Sequence, residues 1–149
     1  MHQVIAGINF AELSLNKCTI QIKLMVQKLK STYKSFGDAT ISRIEYQINY
    51  FNQGKEYSKD IFVFINCYNW ILNKWENLRL TFNKVSQIRF VETKQRPSTI
   101  IFEALINKID DTIIFDFFPV QIDGEGSLKE DPNSDFSVRC KSIFYEVLE

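Results

Sequence analysis

The hydrophobic period of this chain changes once, near Thr40, from the spacing of a helix to that of a strand, and this change limits the fold more than any other feature. Before it, Leu15, Cys18, Ile22, Met25, Val26, Leu29, Tyr33 and Phe36 recur at steps of three and four, which sets them on one stripe of a helix. Ser14 suits the N-cap and Gly37 the C-terminal stop, so the pattern predicts a helix over about residues 14–35. Asn9 with Glu12 imitates a capping box and offers an earlier start. Lys17, Lys23, Lys28, Lys30 and Lys34 surround the stripe, while Ile20 and Leu24 point away from it. That second apolar patch is either covered by residues 1–12 or open to a partner, a homodimer contact through Ile20 and Leu24 included.

After Thr40 the alternation has a period of two. Ile44, Tyr46, Ile48 and Tyr50 interleave with Arg43, Glu45, Gln47 and Asn49, one dry face and one wet. Residues 61–68, IFVFINCY, are nearly all apolar and read as a strand covered on both faces. The runs 78–82 and 85–92 read as a hairpin, and the region from Asn69 to Glu76 has room for a helical turn. TIIFEALIN at 99–107 and TIIFDFF at 112–118 flank a short polar connection and form the clearest hairpin. Residues 123–135, DGEGSLKEDPNSD, read as a solvated loop, and 136–145 as a last strand. Connections this short favour antiparallel neighbours. The expected fold is α+β: one long N-terminal amphipathic helix packed on a twisted antiparallel sheet of six or seven strands, about residues 40–146, in a single domain over 1–149.

Composition narrows function mainly by exclusion. The single histidine is His2, so internal histidine-based catalysis or metal binding has nothing to use. Cys18, Cys67 and Cys140 lie far apart in apolar periodic segments, which predicts buried reduced thiols and a cytosolic home. No apolar run reaches membrane-spanning length, and the first residues lack the layout of an export signal. No glycine-rich phosphate loop, G-x-S-x-G elbow or H-E-x-x-H occurs, so neither cofactor nor metal is expected. Formal charge is zero, yet residues 1–75 hold nine basic against five acidic side chains and residues 76–149 hold nine against thirteen.

Candidate residues follow. Glu103 and Asp116 sit inside apolar runs and would face each other if the hairpin turned between Ile109 and Asp110; burial and like charge could then make one of them an acid, or they mark the wet face. Asp110 and Asp111 are turn residues or, less simply, cation ligands. The acidic residues Asp123, Glu125, Glu130, Asp131 and Asp135 lack calcium-loop spacing; they belong to a solvated loop or steer a basic protein partner. The helix lysines suit a solvated face better than phosphate binding, since the pI is about 6.6. Trp70 and Trp75, close to Tyr68, are core residues or interface anchors.

The segments SFGDATISRIEYQI, WENLRLTFNKVSQIRF, IIFDFFP and SDFSVRCKSIFYEV, within about residues 35–146, resemble small bacterial immunity proteins of polymorphic toxin systems, contact-dependent growth inhibition among them. The resemblance implies a non-enzymatic cytosolic inhibitor that binds the C-terminal toxin domain of a cognate effector. Contacts would come from Asp123, Glu125, Glu130, Asp131 and Asp135, with Trp70 or Trp75 as anchors. Direct nucleic-acid and membrane partners are not expected. Two other readings stay open: a β-rich module holding a small apolar ligand between helix and sheet, and an enzyme built on Glu103 and Asp116.

Overall fold

The computed structural model describes residues 10–95, 99–122, 124 and 126–149, and the side chains of these apart from 10–16 and 18. Within them the chain forms helix α1 (Phe10–Tyr33), then strands β1 (Ala39–Phe51), β2 (Glu56–Asn69), β3 (Lys74–Asn83), β4 (Gln87–Phe90), β5 (Ile100–Ile101), β6 (Leu105–Ile109), β7 (Thr112–Asp116), β8 (Val120–Gln121), β9 (Leu128–Lys129), β10 (Phe136–Cys140) and β11 (Ser142–Leu148). The long strands β1, β2 and β3 form a meander, joined by the turns at Asn52–Gly54 and Trp70–Asn73. Asn52, Gln53 and Gly54 all take positive φ in the first turn, and Asn73 does so in the second.

The single six- or seven-stranded sheet is not what forms. The strands divide into a five-stranded sheet ordered β11-β3-β2-β1-β5, a four-stranded sheet ordered β4-β10-β7-β6, and the small β8-β9 pair. The fold is mainly β, not a long helix laid on a sheet. One expected hairpin and two expected single runs turn out to cross from one sheet to the other. β3 and β4 are not a hairpin: β3 pairs with β2 and β11, β4 with β10. The run 99–107 breaks into β5, beside β1, and β6, beside β7. The last run breaks at Lys141 into β10 and β11. Such crossings make the corners of orthogonally packed sheets, and here they fold the two sheets over a common core.

Helix α1 is longer than its packing. It ends at Tyr33, with Lys34 rather than Gly37 taking the first left-handed conformation. Among its described side chains only Val26, Leu29, Thr32 and Tyr33 are buried, and Ile20 and Leu24 are exposed. The second sheet fills the inner face of the first, so the helix has only one end of that face on which to dock.

One contiguous core results, drawn from the end of α1, both large sheets and the link between α1 and β1. Its centre is aromatic: Phe117 stacks on Phe136 with centroids 4.2 Å apart and on Phe115 at 4.4 Å, and Phe82 meets Phe115 edge-on at 5.5 Å. Cys67 and Cys140 are free and buried, and Cys18 has its side chain outside the described residues. Burial pushes both described thiols up to about 12, with the Glu76 carboxylate adding to the effect at Cys67. Neither is expected to react with iodoacetamide at pH 8 in the native protein, whereas both should react in denaturant; peptide mass spectrometry after each treatment checks this. No helix among the described residues is long and apolar enough to cross a membrane.

Candidate protein-interaction surface

The strand 61–68 was expected to be covered on both faces, and it is not. Ile61, Val63, Ile65 and Cys67 face the core, whereas Phe62, Phe64, Asn66 and Tyr68 point to the outer face of the five-stranded sheet and are half-buried. No described element crosses that face. What shades it is its own side chains. The Arg43 guanidinium lies 3.8 Å from the Phe64 ring centroid and Arg79 lies 5.7 Å from that of Phe62. Each arginine is also held by a carboxylate, Arg43 by Glu45 at 3.1 Å and Arg79 by Glu146 at 3.0 Å. Asn66 donates to Asn77 across the next row at 2.9 Å. The Arg79 Nε has no hydrogen-bond partner among the described residues.

At the turn end of this face the β2–β3 hairpin carries an aromatic cluster. Tyr68 and Trp75 form a cross-strand pair with ring centroids 5.7 Å apart, and Trp70 meets Tyr68 edge-on at 5.0 Å. Trp70 is 49% exposed, Trp75 51%, Ile71 63% and Leu72 58%. Four large apolar side chains thus stand in solvent on one hairpin tip, an arrangement that marks interaction sites on soluble domains. Lys34 Nζ sits 3.9 Å from the Trp70 ring centroid and rims the patch with positive charge.

The tip is rigid for reasons visible beneath it. Asn69 Oδ1 accepts the backbone N–H groups of Ile71 at 3.0 Å and Leu72 at 2.9 Å, closing the turn. The Trp70 N–H donates to the Thr32 carbonyl at 2.9 Å, tying the turn to the end of α1. Below lies Glu76, buried, whose Oε2 accepts from the Tyr33 hydroxyl at 2.9 Å and from Asn69 Nδ2 at 3.0 Å, with Lys74 Nζ 3.3 Å from Oε1. Burial alone would raise this carboxyl, but the hydrogen bonds from Asn69, Tyr33 and Lys74 outweigh it and hold Glu76 below its ordinary value. Burial and the Glu76 carboxylate push the Tyr33 phenol well above its own. The turn is pinned to the helix by a satisfied polar network. Sequence reading missed Glu76, yet a signal was there: it is in phase with Leu78, Leu80 and Phe82, the core-facing residues of β3.

The predicted acidic surface fares differently. Asp123 and Glu125 lie outside the described residues. Glu130 is ion-paired with Arg139, and Asp131 accepts the Asn133 N–H at 2.8 Å. The Val91 N–H donates to the Asp135 carbonyl at 2.7 Å. Leu128–Lys129 forms a strand pair with Val120–Gln121, so the segment is less of a free loop than its composition implies. It is anchored near Phe136, which stacks on Phe117, and Phe117 in turn meets Phe82 at one end of β3, while Trp75 lies at the other. Seven residues of strand separate those ends by roughly 23 Å. Tryptophans and acidic residues therefore do not form one patch.

Neither a family model, nor a curated protein, nor a solved structure matches this chain. The remaining predicted residues are placed by geometry alone. Asp110 and Asp111 form the two-residue turn of β6–β7, Asp110 with φ 53°, and Asp111 pairs with Lys141, which holds its carboxyl below the ordinary range. The register pairs Ile109 with Thr112, so Asp116 stands opposite Leu105 and not Glu103. Glu103 falls in the break between β5 and β6 and accepts from Gln121 Nε2 at 3.0 Å. Asp116 is buried and accepts the N–H groups of Phe118 at 3.0 Å and Asp131 at 2.8 Å. That geometry fastens Phe118 and Asp131 to the end of β7. A groove of about 390 Å³ between α1 and β11, lined by Ile22, Leu24, Met25 and Phe144, holds one of the two residues singled out for dimerisation. Among the described residues no cluster of three or more His, Cys, Asp or Glu could hold a metal ion.

Proposed function

We propose that this protein is an immunity protein: a non-enzymatic binder that occupies the toxin domain of a cognate effector in the cytosol. The reading rests on the sequence resemblance and is supported by one observation, the preorganised tip of Trp70, Ile71, Leu72 and Trp75 continuing into a sheet face of Arg43, Arg79 and Tyr68. Trp, Tyr and Arg are the residues that most often carry interface energy, because they bury large area at low entropic cost and also make polar contacts. The rigid turn lowers the ordering cost of binding further. The acidic residues Glu130, Asp131 and Asp135 contribute long-range steering in this reading, not anchoring.

Titration of the purified protein with the toxin domain encoded beside its gene tests this. Trp75→Ala and Trp70→Ala are each expected to weaken binding by about 2 kcal/mol, near thirtyfold, while leaving the thermal midpoint within a few degrees. Absence of binding by the wild-type protein removes the functional reading. Binding that survives both variants unchanged removes the surface assignment.

A further inference from the structure

The far half of the β1–β2 hairpin, residues 47–51 and 56–60, has no third strand beside it among the described residues, because β3 joins β2 from Ile61 onward and β5 joins β1 only at Ala39 and Thr40, although the Val85 N–H ties its base at the Lys59 carbonyl, 2.7 Å away. It stands out from the sheet as a two-stranded arm. Along it, between the arm, the β3–β4 turn and the β10–β11 junction, lies a groove of about 740 Å³ lined by Lys59, Lys84 and Lys141 together with Tyr57, Phe51 and Ser58. Its size is that of a small-ligand site. The three lysines come from three separate segments of the chain and converge only in the fold.

We infer that this groove binds the phosphates of a nucleotide, with Tyr57 as the surface on which a base stacks. Three observations carry the inference. Lys59 and Lys84 make no ion pair among the described residues, although Asp60 follows Lys59 in β2. The Asp60 side chain, on the opposite face of β2 from Lys59, is held by Asn49 Nδ2 at 2.6 Å and the Lys84 backbone N–H at 3.1 Å and pairs with neither ammonium group. Tyr57 is exposed with Lys59 Nζ 5.7 Å from its ring centroid, the two side chains lying on the same face of β2. A groove with lysines beside an exposed aromatic ring is the arrangement that takes nucleotides, free or in a single strand, through phosphate contacts and base stacking. Lys141 is engaged by Asp111, and Glu56, the one carboxylate of the lining, accepts from Asn52 Nδ2 at 2.8 Å. Lys59 and Lys84, without an ion pair among the described residues, therefore do most of the work.

Fluorescence anisotropy with a labelled oligouridylate of about ten nucleotides, competed by ATP and by tripolyphosphate, tests the inference. The labelled strand is expected to bind, to be displaced by ATP, and to weaken steeply with added salt. A strand bound far more tightly than ATP identifies single-stranded nucleic acid as the source of the phosphates; equal affinities identify the free nucleotide. Lys59→Glu with Lys84→Glu, or the milder pair Lys59→Gln with Lys84→Gln, should each lose about tenfold or more. Tyr57→Ala should lose about tenfold for ATP and strand but nothing for tripolyphosphate. These side chains lie outside the core, so unchanged circular dichroism accompanies each expected result. Failure of both strand and ATP to bind, or binding untouched by the lysine variants or by Tyr57→Ala, overturns the inference.

Discussion

Replacing Phe115 with alanine is expected to lower the free energy of unfolding by about 4 kcal/mol, a large share of what a domain of this size has. Phe115 is fully buried on β7 and touches three separate parts of the fold. Its ring lies 4.4 Å from Phe117 in its own segment, 5.5 Å from Phe82 on β3 and 5.7 Å from Phe36 in the link between α1 and β1. Truncation removes the ring's transfer free energy and opens a cavity, and neighbours held by two sheets and a helix end have little freedom to collapse into it. Urea denaturation followed by circular dichroism measures the loss. Phe102→Ala, at a side chain 75% exposed, serves as the control and should stay within about 0.5 kcal/mol of wild type. A Phe115→Ala loss below about 1 kcal/mol would mean that this aromatic stack does not join the sheets.

Glu76→Ala is expected to cost about 3 kcal/mol, because the Tyr33 hydroxyl and the Asn69 amide would each be left buried without an acceptor. Glu76→Gln keeps the volume and one acceptor and should cost less, about 1 to 2 kcal/mol. The pH dependence separates the charge from the shape. Glu76 is held below its ordinary value of 4.5, so its contribution is fully present above that value and disappears as pH falls through the lower folded-state value. Wild type should therefore lose stability on acidification more steeply than Glu76→Gln, and the gap between them should narrow below pH 4.5. A gap that is constant from neutral pH into the acid range would show that the charge is not what the network uses. Because Asn69 also closes the turn beneath Trp70, the alanine variant should weaken any binding through the hairpin tip, even though Glu76 is buried out of a partner's reach.

Much of the secondary structure was legible before the fold was known. The stripe from Ile22 to Tyr33 is helical, the β6–β7 turn falls at Asp110 and Asp111, and Trp70 and Trp75 stand exposed on a tip, one of the two states open to them. The sheet assignment was not legible as read, although a trace of it was present. Core-facing positions step by two along β2, β3 and β10 but slip by three between Phe82 and Val85, between Ile101 and Ala104, and between Cys140 and Ile143. Each slip marks the place where the chain leaves one sheet for the other, since an odd step reverses the face that a strand presents. The apolar strand 61–68 misled for a different reason. Phe62 and Phe64 are covered by Arg43 and Arg79, not by a second layer, and hydrophobicity alone cannot tell those covers apart.

The sequence by itself determined the local units: a helix, its period, a set of strands and their turns, because these depend on residues a few positions apart. Only the tertiary structure decided which strands share a sheet, which face of β2 stays open, and that Glu76, Tyr33 and Asn69 meet under the hairpin tip. Those outcomes rest on pairings between residues distant in the chain, chosen by how two twisted sheets share one core, and no local period encodes that choice.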